Sequence, residues 1–119
     1  MADLKILVSR VKSSSMSIDK LCKVKKYIPV QEKFKFVDEY DQALEERIHD
    51  YENYESFIAF IIFNLMVVKY YTDIKLDLTY EEFDILQQNG IIDRIVEYVG
   101  ADYSLLLKVV DMGSVRRAK

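Results

Sequence analysis

The sequence predicts a mainly α domain: a small bundle of four to five helices preceded by an extended N-terminal arm. Three observations carry that expectation. Apolar residues recur at helical spacing through most of residues 29–112. Helix start and stop signals punctuate that pattern. The 119-residue chain also holds only three glycines and one proline, too few for a many-turned β fold.

A chain of this length has room for one core and buries roughly two-thirds of its unfolded surface, so it folds without staples. Half of the residues are hydrophobic, which argues against disorder. Cys22 is the single cysteine, so no internal disulfide is possible. It reads as a structural thiol, buried or half-buried, and fits a reducing compartment. Met1 to Arg10 lacks the basic start, apolar stretch and cleavage site of a signal peptide. The most apolar run, Phe57 to Val68, is interrupted by Asn64 and falls short of the roughly 18 to 20 residues of a membrane span.

The first segment, residues 1–28, reads as an extended basic arm. Leu4, Ile6 and Val8 alternate at strand spacing, Ser13 to Ser17 form a polar joint, and Ser17 is placed to cap one helical turn through Lys20. Cys22, Val24 and Ile28 alternate again, with lysines between them. Two short strands without a third make a marginal sheet, so the arm is expected to lie along the body or along another chain. Pro29 marks the change to helix, because its missing N–H costs nothing in a first turn.

The body is expected to span residues 29–112. Val30, Phe34, Val37, Leu44 and Ile48 set the first helix, which should end near His49. Asp50 to Glu55 forms a break with Asn53 as a candidate cap. The second helix, Ser56 to about Tyr71, is apolar around most of its circumference and belongs at the centre. Thr72 to Leu78 connects, with Ile74, Leu76 and Leu78 at the edge of the core. Thr79-Tyr80-Glu81-Glu82 is a capping box opening the third helix, and Asn89-Gly90 ends it. Ile91, Ile92, Ile95, Val96 and Val99 face the core from a fourth helix that stops at Gly100. A fifth covers about Asp102 to Met112, leaving residues 113–119 as a flexible basic tail.

Charge is divided unevenly along the chain. Residues 1–26 carry seven Lys or Arg against two Asp or Glu, a net +5, while residues 27–111 carry seven against eighteen, a net −11. The last eight residues add +3 through Arg116, Arg117 and Lys119. Such a basic leader favours phosphate contacts. Its lysines are not interleaved with stacking aromatics, however, Tyr27 being the sole one. A basic arm on an acidic protein surface accounts for the same residues, and the −11 of the body makes it the better reading. The candidate partner-binding residues are therefore Leu4, Ile6, Val8, Arg10, Lys12, Lys23, Lys25 and Lys26.

No motif assigns catalysis. Glu46-Arg47-Ile48-His49 matches the Glu-x-x-His pair of di-iron bundles, but that architecture needs two such pairs and His49 is the only histidine. A solvated acidic face at the end of the first helix is the better reading. Nothing places Cys22 or a serine beside His49, and phosphate-binding glycine loops, cysteine clusters and EF-hand spacing are absent. No catalytic, cofactor or metal residue is expected. Seven of the nine tyrosines (Tyr51, Tyr54, Tyr70, Tyr71, Tyr80, Tyr98 and Tyr103) fit an interface and the margin of a core equally well.

Tyr27-Ile28-Pro29-Val30-Gln31-Glu32-Lys33 resembles the Tyr-Leu-Pro-x-x-Glu-Lys entry of small helical proteins encoded by tailed bacteriophages. The likeness continues in Tyr71-Thr72-Asp73-Ile74, and in Tyr80-Glu81-Glu82-Phe83-Asp84-Ile85-Leu86 followed by Asn89-Gly90-Ile91-Ile92. These motifs, within residues 20–111, are packing and capping signals. The resemblance implies a virion or assembly component, assembled in the host cytoplasm, with no catalytic residue to carry over. The expected function is thus a non-enzymatic structural or assembly protein. It would dock on capsid, neck or tail proteins, or on copies of itself, through its arm. A host-directed inhibitor with an acidic helical surface and a nucleic-acid binder using its basic ends are the alternatives. Neither a membrane nor a small-molecule substrate is expected.

Overall fold

The computed structural model describes residues 4–12 and 17–117, with the side chains of Lys12 and of residues 112–117 outside that description. The joint over Ser13 to Met16 and the last two residues of the tail lie outside it as well. Seven helices are present among the described residues: α1 Leu4–Lys12, α2 Ile18–Leu21, α3 Val30–Arg47, α4 Glu55–Tyr71, α5 Tyr80–Gln88, α6 Ile91–Val99 and α7 Ala101–Arg117. The fold is mainly α, as the spacing predicts. One core gathers side chains from all seven helices.

Helix α4 is the hub. It packs against α3, α5 and α6, and residues 62–68 are buried without interruption. That is the expected consequence of an apolar surface on every side. Phe36 and Tyr40 of α3 meet Phe63 of α4 edge to face, and Tyr103 of α7 closes on the same ring at 5.2 Å between centroids. Asn64 is buried beside it. Its amide donates to the Phe60 carbonyl at 2.8 Å and accepts from the Tyr103 hydroxyl at 3.1 Å, so its polar atoms are partnered.

The punctuation matches the sequence at most boundaries. Thr79 and Glu82 form the reciprocal capping box, and α6 is bracketed by Gly90 and Gly100 at positive φ. Ile74 and Leu78 are buried in the connector. Two boundaries differ. Asn53 does not cap α4: it sits at φ 73°, and Tyr54 occupies the cap position without a side-chain hydrogen bond. The last helix also runs past Gly113 to Arg117, since a single glycine costs only about 1 kcal/mol relative to alanine.

The leader departs from the extended arm expected of it. Residues 4–12 are helical, because Leu4, Leu7, Val8 and Val11 fit the i, i+3, i+4, i+7 template as well as Leu4, Ile6 and Val8 fit a strand. Burial decides between the two. Leu7 is 1% exposed and Val11 is buried with it, while Ile6 faces solvent. α1 packs on α2, and α2 packs on α6. Of the expected alternation over Cys22 to Ile28, one isolated antiparallel bridge is present, Val24 to Thr72, beside a 2.7 Å bond from Lys25 N–H to the Tyr71 carbonyl. The leader thus lies along the body, as helix and short turn.

The face of α3 also differs. Phe36, Tyr40, Ala43 and Leu44 are buried, whereas Val30 and Phe34 are exposed. The helix is rotated to admit Lys33 into the interior, where a charge partner awaits it.

Candidate protein-docking surface

The leader residues expected to bind a partner do not form one face. Leu4 and Val8 are half-buried against the core and Ile6 points away from them. Arg10 is exposed yet donates to the Leu21 carbonyl at 3.2 Å, tying α1 to α2. The Lys12 side chain is outside the described residues. Lys23, Lys25 and Lys26 are exposed, with Lys26 Nζ 4.9 Å from the centre of the Tyr98 ring. Cys22 lies beside this segment, half-buried. Burial pushes its thiol up to about 11, Asp73 adds to the shift and Arg10 opposes it. So little thiolate exists near neutral pH that the residue behaves as packing.

Behind the leader is a buried polar cluster. Asp102 Oδ2 accepts from the Ile28 backbone N–H at 3.1 Å and from the Tyr71 hydroxyl at 2.9 Å, and lies 3.1 Å from Lys33 Nζ. Lys33 also donates to the Ile28 carbonyl at 2.5 Å and stands 3.7 Å over the Tyr27 ring. Each donor is matched by an acceptor, so the cluster closes the joint between leader, α3, α4 and α7. A second polar group joins α3 to α4: Glu39 pairs with Lys69 and accepts from the Tyr70 hydroxyl at 2.8 Å. Both clusters are internally partnered.

The surface where α3 gives way to α4 is different. Tyr51, Tyr54, Phe57 and Phe60 follow one another at every third residue, and all are exposed, Phe57 by 57% and Phe60 by 49%. Across from them, Tyr80, Phe83 and Gln87 stand on one face of α5. With Tyr51, Tyr54, Phe57, Ile58 and Ile61 they line a groove of about 430 Å³, and Phe60 stands beside it. Aromatic contacts hold its walls together: Tyr51 meets Tyr80 at 6.0 Å and Phe60 meets Phe83 at 6.1 Å. The Tyr80 hydroxyl donates to Asp50 Oδ2 at 2.6 Å and fixes the loop to α5. Partial burial pushes this phenol up to about 12, with the Asp50 bond and charge adding to the shift.

The apolar run Phe57 to Val68, read from the sequence as a core helix, is therefore buried over most of its length but leaves Phe57 and Phe60 on the surface in its first turns. Their three-residue spacing with Tyr51 and Tyr54 begins in the polar loop before α4 starts, and does not by itself separate them from core positions. The tyrosines divide accordingly. Tyr71 is buried, Tyr70, Tyr80, Tyr98 and Tyr103 are half-buried, and Tyr51 and Tyr54 are exposed at the groove. Glu46 pairs with its neighbour Arg47 on the solvated end of α3, where His49 is exposed too. No cluster of three or more His, Cys, Asp or Glu side chains suited to a metal ion occurs among the described residues. No described helix is long and apolar enough to cross a membrane.

No protein-family model, curated protein or solved structure matches the chain. The class defined by fold and surface is a seven-helix α domain, counted over the described residues, with one aromatic groove on its exterior.

Proposed function

We propose that this chain is a non-enzymatic docking protein of a larger assembly, and that a partner protein seats in the aromatic groove between α4 and α5. The observation that carries the reading is the exposure of Tyr51, Tyr54 and Phe57 in a single concave site, with exposed Phe60 packed on its Phe83 wall. Large aromatic side chains left contiguous on a surface mark contact sites, because they offer area with few rotatable bonds to freeze. The polar clusters elsewhere are consumed in holding helices together. The likeness to small tailed-phage proteins supports a virion or assembly role, with another structural protein as the partner.

The test uses particles assembled with the full-length chain or its variants, followed by mass spectrometry of purified material. Wild type should be incorporated in a fixed ratio. Phe57→Glu should be lost from particles while its circular dichroism melt is unchanged. The triple variant Lys23→Glu, Lys25→Glu, Lys26→Glu should remain incorporated. The reverse pattern would return the interface to the leader, and absence of wild type from particles would remove the virion role.

A further inference from the structure

We infer that the groove receives helix α7 of a second copy of this chain, so that copies join head to tail. The inference rests on the groove being a docking surface and adds the identity of its occupant. The formal charges along loop 48–54, at the first residue of α4 and within the groove are all negative: Asp50, Glu52, Glu55 and Asp84. An occupant must therefore present apolar anchors beside positive charge.

Helix α7 has that chemistry. Leu105 is 47% exposed and Val109 39% exposed, and their i, i+4 spacing sets them on one stripe. This is the anchor pattern of a helix lying in a groove. Lys108 is exposed between them, and beyond the buried Asp102 the helix carries Lys108, Arg116 and Arg117 against Asp111. The other exposed apolar faces fit less well. Val30 and Phe34 belong to α3, which has six acidic and three basic residues and would be repelled. Basic α1 exposes one large apolar residue among its described side chains, Ile6.

No groove-lining residue comes from α7. The two surfaces are thus different parts of one molecule, and their pairing is heterologous: each copy fills its neighbour's groove and offers its own. Such contacts extend into chains or close into rings, which is the geometry an assembly protein needs.

Sedimentation velocity over a concentration series tests this with the full chain and two variants, Phe57→Glu in the groove and Leu105→Glu on α7. Wild type should form species beyond the dimer. Each variant alone should be monomeric, its self-association weakened at least about tenfold. An equimolar mixture of the two should give a 1:1 dimer and nothing larger, because one intact groove and one intact α7 remain. Tyr54→Ala and Val109→Ser replace either variant whose melt is altered. A wild type monomeric at every concentration would overturn self-association, while incorporation into particles would still report on the groove as a docking site. Loss of association in Phe57→Glu with none in Leu105→Glu, or a mixture that stays monomeric, would overturn the head-to-tail arrangement.

Discussion

Lys33 Nζ lies 3.1 Å from Asp102 Oδ2, which joins the first turn of α3 to the first turn of α7 inside the protein. The pair is buried and shares its charge with the Ile28 backbone and the Tyr71 hydroxyl. Removing one partner strands the other. Asp102→Leu should therefore cost about 3–5 kcal/mol in urea denaturation. The double variant Lys33→Met, Asp102→Leu should recover part of that loss, since no buried charge is left unpaired. A double variant no more stable than Asp102→Leu would show that the backbone and Tyr71 bonds, rather than the charge pair, hold the joint.

Alkaline pH should destabilise the protein through its buried phenols. Burial raises the phenols of Tyr71 and Tyr70, with hydrogen bonds to Asp102 and Glu39 adding to the shifts, and Tyr80 is pushed up to about 12. An unfolded tyrosine ionises near 10.0 while the folded ones keep their protons. The native state then binds more protons than the unfolded one, so stability is fully present below pH 10 and falls as pH rises beyond it. Urea midpoints measured from pH 8 to 11 should decline, and Tyr71→Phe should flatten the decline. A midpoint constant to pH 11 would contradict the raised phenols.

The leader should prove part of the core. Leu7 is 1% exposed, and Val11, Ile18, Leu21 and Ile28 are buried in the same cluster as Ile62 and Ile95. Leu7→Ala should cost about 2–5 kcal/mol through lost burial and the cavity left behind. Deleting residues 1–26 should abolish cooperative thermal melting, because it uncovers α6. A truncated chain that melts cooperatively with full helical circular dichroism would show that residues 27–119 fold without the leader.

Leu65 is fully buried in α4, at 0% exposure. Leu65→Asp should cost several kcal/mol, enough to unfold a domain of this size, because an unpaired charge would enter the centre of the bundle. Soluble, cooperatively folded Leu65→Asp protein would place α4 elsewhere than at the hub.

By itself the sequence determined where α5 and α6 run, since Thr79, Glu82, Gly90 and Gly100 act through bonds and dihedral limits within a few residues of themselves. It also made α4 the hub, because a helix apolar on all sides has no stable position in water. Only the tertiary structure decided the rest. Leu4 to Val11 suits helix and strand alike, and contact with the rest of the core settled which face is buried. The rotation of α3 follows from Asp102, distant in sequence, receiving Lys33. Phe57 and Phe60 look identical to core residues in a linear pattern. They become surface because neighbouring helices cover the later turns of α4 and leave its first turns open beside α5, a matter of packing geometry that periodicity does not encode.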